Sequence, residues 1–290
     1  MSSVHKAVFP VAGLGVRFLP ATKANPKEML PVVDRPLIQY ATDESIAAGI
    51  RELIFITGRT KRSIEDHFDK AYELEAELRR SGKLQLLEVA QQTLPAGVTC
   101  TYIRQPEALG LGHAVLCAEP ALDDSYFAVL LADDLIDGGG RGCLQQMLDV
   151  HERLDCAVIA VENISRECTA SYGIVEVEEM DAGIGRIKNI VEKPAPADAP
   201  STLGVVGRYI LPGRIMKALK RTGEGAGGEI QLTDAIGTLL AEETIVALEF
   251  DGTRYDCGSK LGYLKANVDY ALQHPELKTE FAKYLRTLER

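Results

Sequence analysis

Two glycines, an arginine and a lysine follow the first predicted strand and suit the binding of a polyphosphate. The strand reads KAVFPV, a mostly apolar run typical of a buried strand, and Ala12, Gly13 and Gly15 follow it. Glycines let the backbone approach a ligand closely and turn its N–H groups toward it. Arg17 and Lys27 add positive charge in the same stretch. These residues predict a phosphate-binding loop, and a plain strand-to-helix turn with basic surface residues is the alternative.

The two common glycine-loop motifs do not match this loop. A dinucleotide-binding fingerprint needs a third glycine where Phe18 stands, and the P-loop pattern GxxxxGK[ST] is not found. Asp34 lies at the distance of the ribose-binding acid of a dinucleotide site, but the surrounding VDRP predicts a turn. A nicotinamide dehydrogenase is therefore not favoured.

The composition is typical of a globular enzyme. The chain has 290 residues, is 46% hydrophobic and carries a formal net charge of −10, so one large domain or two small ones are expected. The acidic balance argues against a nucleic-acid or membrane-surface partner, which would need a basic patch. Neither a signal peptide nor a membrane-length apolar run is visible. Six cysteines without CxxC or zinc spacing indicate reduced core thiols, so we expect a cytoplasmic protein.

Strands and helices alternate along the first 165 residues or so, and closely spaced strands follow before a helical end. This order predicts an α/β fold with a Rossmann-like, mostly parallel mixed sheet flanked by helices. The predicted strands lie at 6–11, 53–57, 98–104, 127–131, 156–161, 173–178, 187–192, 205–211 and 246–250. The predicted helices lie at 37–48, 60–80, 112–118, 141–153, 212–220, 233–241 and 260–288.

Ligand sites in such sheets lie at the carboxyl ends of strands, so the loops after residues 11, 104 and 131 are expected to line the site. Asp133 follows the apolar run FAVLLA in the third of these loops. Its carboxylate suits a hard cation such as Mg²⁺, although an aspartate here also suits a helix cap. Asp134 should point the other way if the strand continues.

Motifs in a consistent order extend over most of the chain. They read PVAGLGVRFLPATKANPKEMLPVVDRPLIQY, RQPEALGLGHAVLCA, LLADDLI, ASYGIV, IVEKP, VVGRYIL, GAGGEIQLTDAI and DCGSKLGY. This series, from about residue 6 to 273, resembles the bacterial UTP–glucose-1-phosphate uridylyltransferases, also called UDP-glucose pyrophosphorylases. They belong to the sugar-phosphate nucleotidyltransferases.

The resemblance implies a single domain of the nucleotidyltransferase fold over residues 1–290. Within it we expect a nucleotide-binding core at about 1–165, a sugar-phosphate-binding region at about 166–258 and C-terminal helices at about 259–290. The implied enzyme makes UDP-glucose and pyrophosphate from UTP and glucose 1-phosphate with Mg²⁺ as cofactor. A homodimer or homotetramer is expected.

The resemblance also assigns roles in substrate and metal binding to the charged residues. Arg17 and Lys27 would neutralise the β- and γ-phosphates of UTP, and Lys193 would orient the phosphate of glucose 1-phosphate. Asp133 and Asp256 would hold Mg²⁺, with helix capping as the alternative for each. The attacking phosphate oxygen is already anionic, so catalysis requires positioning and charge neutralisation without a general base.

Five residues are expected to contact the nucleotide: Ala12, Gly13, Gly15, Gln105 and Gly110. Gln105 offers a donor and an acceptor that suit the imide edge of uracil, with an ordinary loop glutamine as the alternative. Gly110 would leave room for the base and add a backbone hydrogen bond. Because the glutamine amide can flip to suit cytosine, the backbone at 12, 13 and 110 is expected to fix the choice of base.

The sugar phosphate is expected to contact Gly173, Glu192, Lys193 and Val206. Glu192 would bond sugar hydroxyls, while Gly173 and Val206 would offer their backbone. A Glu-Lys surface pair before a turn is the alternative for Glu192 and Lys193.

Four further residues in the motifs are predicted to be structural. We expect His113 to pack at a helix start, Thr233 and Asp234 to begin a helix, and Cys257 to be buried.

Two residues depart from the pattern of the family. Val16 stands where the family usually has threonine, which removes a hydroxyl that suits phosphate, and Ala132 replaces a usual proline. Two alternatives stay open: a relative that uses another nucleotide or hexose phosphate, such as a thymidylyltransferase, or a non-catalytic nucleotide-binding regulatory protein. The presence of Arg17, Lys27 and Asp133 argues against the second.

Overall fold

The computed structural model describes residues 4–288, and most of its strands form one sheet. The strands are β1 Lys6–Pro10, β2 Pro31–Val32, β3 Arg35–Pro36, β4 Glu52–Thr57, β5 Thr99–Arg104, β6 Tyr126–Leu130, β7 Asp134–Asp137, β8 Ala157–Asn163, β9 Gly173–Asp181, β10 Ile184–Glu192, β11 Leu203–Pro212, β12 Ile245–Glu249 and β13 Thr253–Asp256. The nine-stranded sheet has the order β5-β4-β1-β6-β11-β8-β12-β10-β9. β10 and β11 run antiparallel to the other strands of this sheet. The predicted mixed, mostly parallel α/β sheet is confirmed.

Helices cover both faces of this sheet. They are α1 Leu37–Ala47, α2 Arg62–Phe68, α3 Tyr72–Arg80, α4 Leu84–Gln91, α5 Leu111–Cys117, α6 Cys143–Leu154, α7 Ile215–Leu219, α8 Leu232–Leu239, α9 Lys260–Gln273 and α10 Lys278–Leu288. The alternation of β1 explains the two layers, because Ala7 and Phe9 join the core beneath α1 and α6, whereas Val8 joins the core beneath α5 and α8.

Two predicted helices are wrong in extent. The predicted helix 60–80 is broken between α2 and α3, where Asp69 has an extended backbone (φ −82°, ψ 163°) after the buried Phe68. The predicted helix 260–288 is broken at His274 (φ −65°, ψ 130°), because the residue before Pro275 disfavours helical geometry. The helix α4 was not predicted.

Strands β7 and β13 form a separate two-stranded sheet that brings the segment around Asp256 next to the segment after β6. The two strands are antiparallel, with Asp256 opposite Asp134. Leu135 and Tyr255 of this pair form a third apolar cluster with Ala266 of α9. The strand β13 was not predicted, although it sets the position of Asp256. The division into regions 1–165, 166–258 and 259–290 stays a prediction.

No helix between residues 4 and 288 is both long and apolar enough to span a bilayer.

Candidate active site

The glycine loop after β1 is covered by the segment that carries Lys27. Gly15 has a left-handed φ of 66°, and its carbonyl oxygen accepts a 2.7 Å hydrogen bond from Thr22 Oγ1. A Cβ added at Gly15 would lie 3.3 Å from Lys27 Cβ, and one at Gly13 would lie 4.0 Å from Lys27 Cε. The fold thus brings the loop and Lys27 together, and the left-handed turn favours glycine at position 15.

A buried ion pair fixes the turn that carries Lys27. Glu28 Oε2 lies 2.8 Å from Lys61 Nζ, with side chains 1% and 4% exposed. Lys61 ends the loop after β4, in which Gly58 packs on Ala12: a Cβ at Gly58 would lie 3.3 Å from the Ala12 carbonyl oxygen. The pair therefore ties Lys27 to the two neighbouring strand ends that form this edge of the site.

Three charged side chains converge on the backbone of Gly258. A Cβ added there would lie 2.9 Å from both Asp133 Oδ2 and Asp256 Oδ1. The same point would lie 3.1 Å from Arg17 Nη1, which donates to the Gly258 carbonyl oxygen at 3.3 Å. The Cys257 N–H donates to the Asp133 carbonyl oxygen at 2.8 Å and fastens this loop. Two carboxylate oxygens that face one point are a donor set suited to a hard divalent cation.

Two carboxylates, those of Asp133 and Asp256, face the backbone of Gly258. Among residues 4–288 no group of three or more His, Cys, Asp or Glu side chains is arranged to hold a metal ion. Since Mg²⁺ is commonly held by one or two carboxylates together with substrate phosphates and water, the pair of Asp133 and Asp256 fits that cation.

Lys27 makes a direct ion pair with Asp133. Its Nζ lies 2.6 Å from Asp133 Oδ2, and both side chains are about one-quarter exposed or less. Burial alone would lower the pKa of Lys27, but the carboxylates of Asp133 and Glu28 outweigh it and the pKa lies above its usual value. Burial alone would raise the pKa of Asp133, and Lys27 reverses that shift so that the pKa lies below its usual value. Both groups are therefore charged at neutral pH.

Asp134 faces away from this centre, although β6 ends at Leu130 and does not continue through residues 133 and 134 as the prediction assumed. Its Oδ1 accepts a 2.7 Å hydrogen bond from Arg254 Nε, and its Oδ2 accepts a 2.7 Å hydrogen bond from the Gly207 N–H. Arg254 also donates to Glu162 at 3.2 Å and to the Tyr172 hydroxyl at 3.3 Å. Asp134 thereby joins the beginning of β7 to β11 and, through Arg254, to the residue that precedes β9.

Gln105 lies at the carboxyl end of β5. Its N–H donates to the Thr57 carbonyl oxygen at 2.9 Å, and its side chain is buried beside α5. The amide Nε2 lies 3.2 Å from the Gly110 carbonyl oxygen and 3.0 Å from His113 Nδ1. Gly110 has a φ of 104°, and a Cβ there would lie 2.7 Å from Glu229 Cβ. The space that this glycine provides is thus used by Glu229, and the Gly110 carbonyl holds Gln105.

The expected sugar-phosphate residues also lie together. Glu192 Oε2 accepts a 2.7 Å hydrogen bond from Thr233 Oγ1, and Glu192 Oε1 lies 3.0 Å from Lys193 Nζ. A Cβ added at Gly173 would lie 3.3 Å from Glu192 Oε2. Lys193 has a left-handed φ of 47°, which turns the chain sharply after β10. Val206 lies in β11, where the register against β8 shifts between residues 205 and 209.

The sequence model of the nucleotidyl transferase family matches residues 6–273. The chain belongs to the nucleotidyl transferase family. It is similar to the UTP–glucose-1-phosphate uridylyltransferase YngB of Bacillus subtilis, with 48% identity over 97% of this chain and 94% of that protein. A UTP-bound UGPase from Acinetobacter baumannii has a TM-score of 0.92 at 46% identity, covering 99% of this chain and 100% of that one. A UDP-glucose pyrophosphorylase complexed with UDP-glucose has a TM-score of 0.84 at 41% identity, covering 93% of this chain and 100% of that one.

Sequence reasoning missed several residues that support the site of this nucleotidyltransferase. Thr233 lies in the first turn of α8 as predicted, but its hydroxyl also binds Glu192. His113 contacts Gln105 instead of serving packing alone. Arg254 and Lys61 carry buried ion pairs that no local pattern marks. Cys257 is buried as expected, and burial raises the pKa of its thiol to about 12.

Proposed function

We propose that this nucleotidyltransferase is a uridylyltransferase that forms UDP-glucose and pyrophosphate from UTP and glucose 1-phosphate. The observation that carries the proposal is the convergence of Arg17, Asp133 and Asp256 on Gly258, with Lys27 bound to Asp133. Basic and acidic groups at one strand edge suit a polyphosphate and a cation. The names and ligands of the similar proteins support UTP and UDP-glucose as ligands.

The proposed reaction is an in-line displacement. A phosphate oxygen of glucose 1-phosphate attacks the α-phosphorus of UTP, a P–O bond forms, and the bond to the leaving pyrophosphate breaks. The nucleophile is already anionic, so no side chain has to take a proton from it. Arg17 and Lys27 neutralise charge on the leaving pyrophosphate, the first with a guanidinium fork and the second as a point charge.

Asp133 and Asp256 would hold Mg²⁺ in this enzyme. The bound cation supplies neutralisation of phosphate charge when the substrates are present. The chain itself contributes the convergent carboxylate oxygens and the Gly258 backbone that leaves room between them.

Glu192 and Lys193 bind the sugar phosphate in the proposed complex. Thr233 and Lys193 already hold one carboxylate oxygen of Glu192 each, so its orientation is fixed before substrate binds. Lys193 orients the phosphate, Glu192 accepts from glucose hydroxyls, and Gly173 and Val206 offer their backbone. Ala12, Gly13 and Gly15 bind UTP through backbone N–H groups, and Gln105 and Gly110 lie at the base.

One assay tests the proposed function. The pure protein is incubated with Mg²⁺, glucose 1-phosphate and each of UTP, dTTP, CTP and ATP in turn, and pyrophosphate is measured. We expect the highest specificity constant with UTP. A preference for dTTP would favour the thymidylyltransferase alternative, and no pyrophosphate from any nucleotide would favour a non-catalytic binding protein.

Both substrates are phosphorylated metabolites, so we place the enzyme in the cytoplasm. We also propose that it is a homodimer or homotetramer. Exposed apolar side chains on the terminal helices support this, since Leu261 and Leu264 of α9 are 65% and 60% exposed. Light scattering coupled to size-exclusion chromatography would test it, and a monomer at micromolar concentration would contradict it.

A further inference from the structure

The side-chain amide of Gln105 has only one orientation that its neighbours allow. Its Nε2 lies 3.2 Å from the Gly110 carbonyl oxygen and 3.0 Å from His113 Nδ1. A carbonyl oxygen can only accept, so the group that faces Gly110 must be the NH₂ and not the amide oxygen. Flipping the amide would place its oxygen against the Gly110 oxygen, where two acceptors face each other and no hydrogen bond forms.

His113 provides the second restraint on this amide. It lies in the first turn of α5, and its Nε2 is 4.0 Å from Cys117 Sγ. The neutral imidazole that carries its proton on Nε2 presents Nδ1 as an acceptor, which is what the NH₂ of Gln105 requires. The two hydrogens of the Gln105 amide are thus used by Gly110 and His113, and the amide offers a ligand only its oxygen.

An amide oxygen accepts a hydrogen bond and cannot donate one. Uracil carries an N–H at position 3, whereas cytosine has a bare nitrogen there that needs a donor. Thymine has the same N3–H as uracil. A restrained Gln105 therefore accepts uracil and thymine and rejects cytosine, and only a flipped amide would suit cytosine.

We propose that His113 is a specificity-determining positioning residue that, with the Gly110 carbonyl, holds Gln105 in the orientation that selects uracil over cytosine. This inference rests on the proposed function, because it takes UTP as the substrate and Gln105 as the residue that meets the base. It assigns to Gln105 itself a discrimination that the sequence had left to backbone groups.

The test compares nucleotides in His113→Leu, which keeps apolar bulk but removes the acceptor. Specificity constants for UTP, CTP and dTTP are measured with glucose 1-phosphate by pyrophosphate release. We expect the UTP-to-CTP ratio to fall by about tenfold, the size expected for one neutral hydrogen bond. The UTP-to-dTTP ratio should stay within about twofold of wild type, because both bases present the same edge.

Two further variants separate this role from a merely structural one. His113→Asn, whose Oδ1 can accept from Gln105, should restore most of the UTP-to-CTP ratio. Cys117→Ala removes the sulfur that lies 4.0 Å from His113 Nε2 and should leave the ratio near wild type. Calorimetric affinities for UMP and CMP give the same comparison without turnover, so a slow variant is still informative.

An unchanged UTP-to-CTP ratio in His113→Leu, by turnover and by calorimetry, would overturn the inference. A parallel fall of the UTP-to-dTTP ratio would also overturn it, because that pattern means a generally loosened site. Failure of the proposed function looks different: the wild-type protein would then prefer another nucleotide or release no pyrophosphate at all.

Discussion

The two adjacent aspartates that follow β6 have separate tasks. Asp133 turns toward Lys27 and the Gly258 backbone, whereas Asp134 turns toward Arg254 and the Gly207 N–H. One residue of the pair serves the proposed chemistry and the other holds the strand in place. Variants of the two should therefore fail in different ways.

Loss of either proposed metal ligand should remove activity without unfolding the protein. In Asp133→Asn or Asp256→Asn an anionic oxygen is lost from the point where both carboxylates converge, so we expect turnover to fall by about a hundredfold or more. EDTA should have the same effect on the wild type. Pyrophosphate release and far-UV circular dichroism measure the two properties.

The control for these variants is Asp34→Asn. Asp34 lies in the exposed turn between β2 and β3 and contacts His274 instead of the site. The Asp34→Asn variant should keep wild-type turnover. Near-normal turnover by both Asp133→Asn and Asp256→Asn would rule out the two-aspartate site.

The hydroxyl of Thr233 should affect the binding of the sugar phosphate and leave the binding of the nucleotide unchanged. Thr233→Val removes the 2.7 Å hydrogen bond that orients Glu192. We expect the KM for glucose 1-phosphate to rise about three- to tenfold, the effect of one hydrogen bond, with the KM for UTP unchanged. Thr238→Val, in the same helix but bonded to the Asp234 carbonyl oxygen, is the matched control. Equal changes in both KM values would contradict the assignment of Glu192 to the sugar.

At the level of elements, a buried ion pair joins β13 to its partner strand β7. The side chains of Arg254 and Asp134 are 6% and 12% exposed. Arg254→Met leaves the Asp134 carboxylate buried without its cation, so we expect the free energy of unfolding to fall by about 3–5 kcal/mol. Urea denaturation measures this.

Asp134→Asn combined with Arg254→Met tests the cause of that loss. Because the neutral amide removes the stranded charge, the double variant should recover part of the stability. A single-variant loss below about 1 kcal/mol would show that solvent reaches the pair, as in an exposed ion pair.

The sequence predicts the elements that have strong apolar patterns and misses those that depend on distant partners. The buried strands β1, β4 and β6 are continuous apolar runs and lie within one residue of their predicted bounds. β13 reads TRYD, which has no such pattern, and it forms because it pairs with β7 more than a hundred residues away. The predicted helix 260–288 is too long because the prediction did not include the effect of Pro275 on the backbone of the preceding residue.

In the candidate site, too, residues in local motifs are predicted and residues that depend on distant partners are missed. Arg17, Lys27 and Asp133 lie directly after strands or in a short motif, so sequence places them near one another. Thr233 and His113 act through contacts with Glu192 and Gln105, and nothing in their own segments marks those contacts. Their roles depend on how the elements pack, which local sequence does not specify.

At the scale of the whole molecule, the strands next to the proposed nucleotide and sugar-phosphate residues, β1, β5, β9, β10 and β11, belong to one nine-stranded sheet. Direct transfer requires both substrates to be bound together, so initial-rate kinetics should be sequential. Cys257, beside the proposed metal site, is 1% exposed and has a raised thiol pKa of about 12, which makes it a poor nucleophile. Exchange of labelled pyrophosphate into UTP without sugar phosphate would indicate a covalent intermediate and contradict direct transfer.

The ion pair between Lys27 and Asp133 couples the binding of a cation to the binding of the triphosphate. Asp133 Oδ2 cannot give its full charge to a cation while Lys27 lies 2.6 Å away. A triphosphate that attracts Lys27 should therefore release Asp133, and by thermodynamic reciprocity a cation on Asp133 should release Lys27 for the triphosphate. We expect Mn²⁺ to bind nucleotide-free Lys27→Met about tenfold more tightly than wild type, as measured by the EPR signal of free Mn²⁺. Equal affinities would mean that the two ligands arrive independently; a difference means that this lysine couples the nucleotide to its counter-ion.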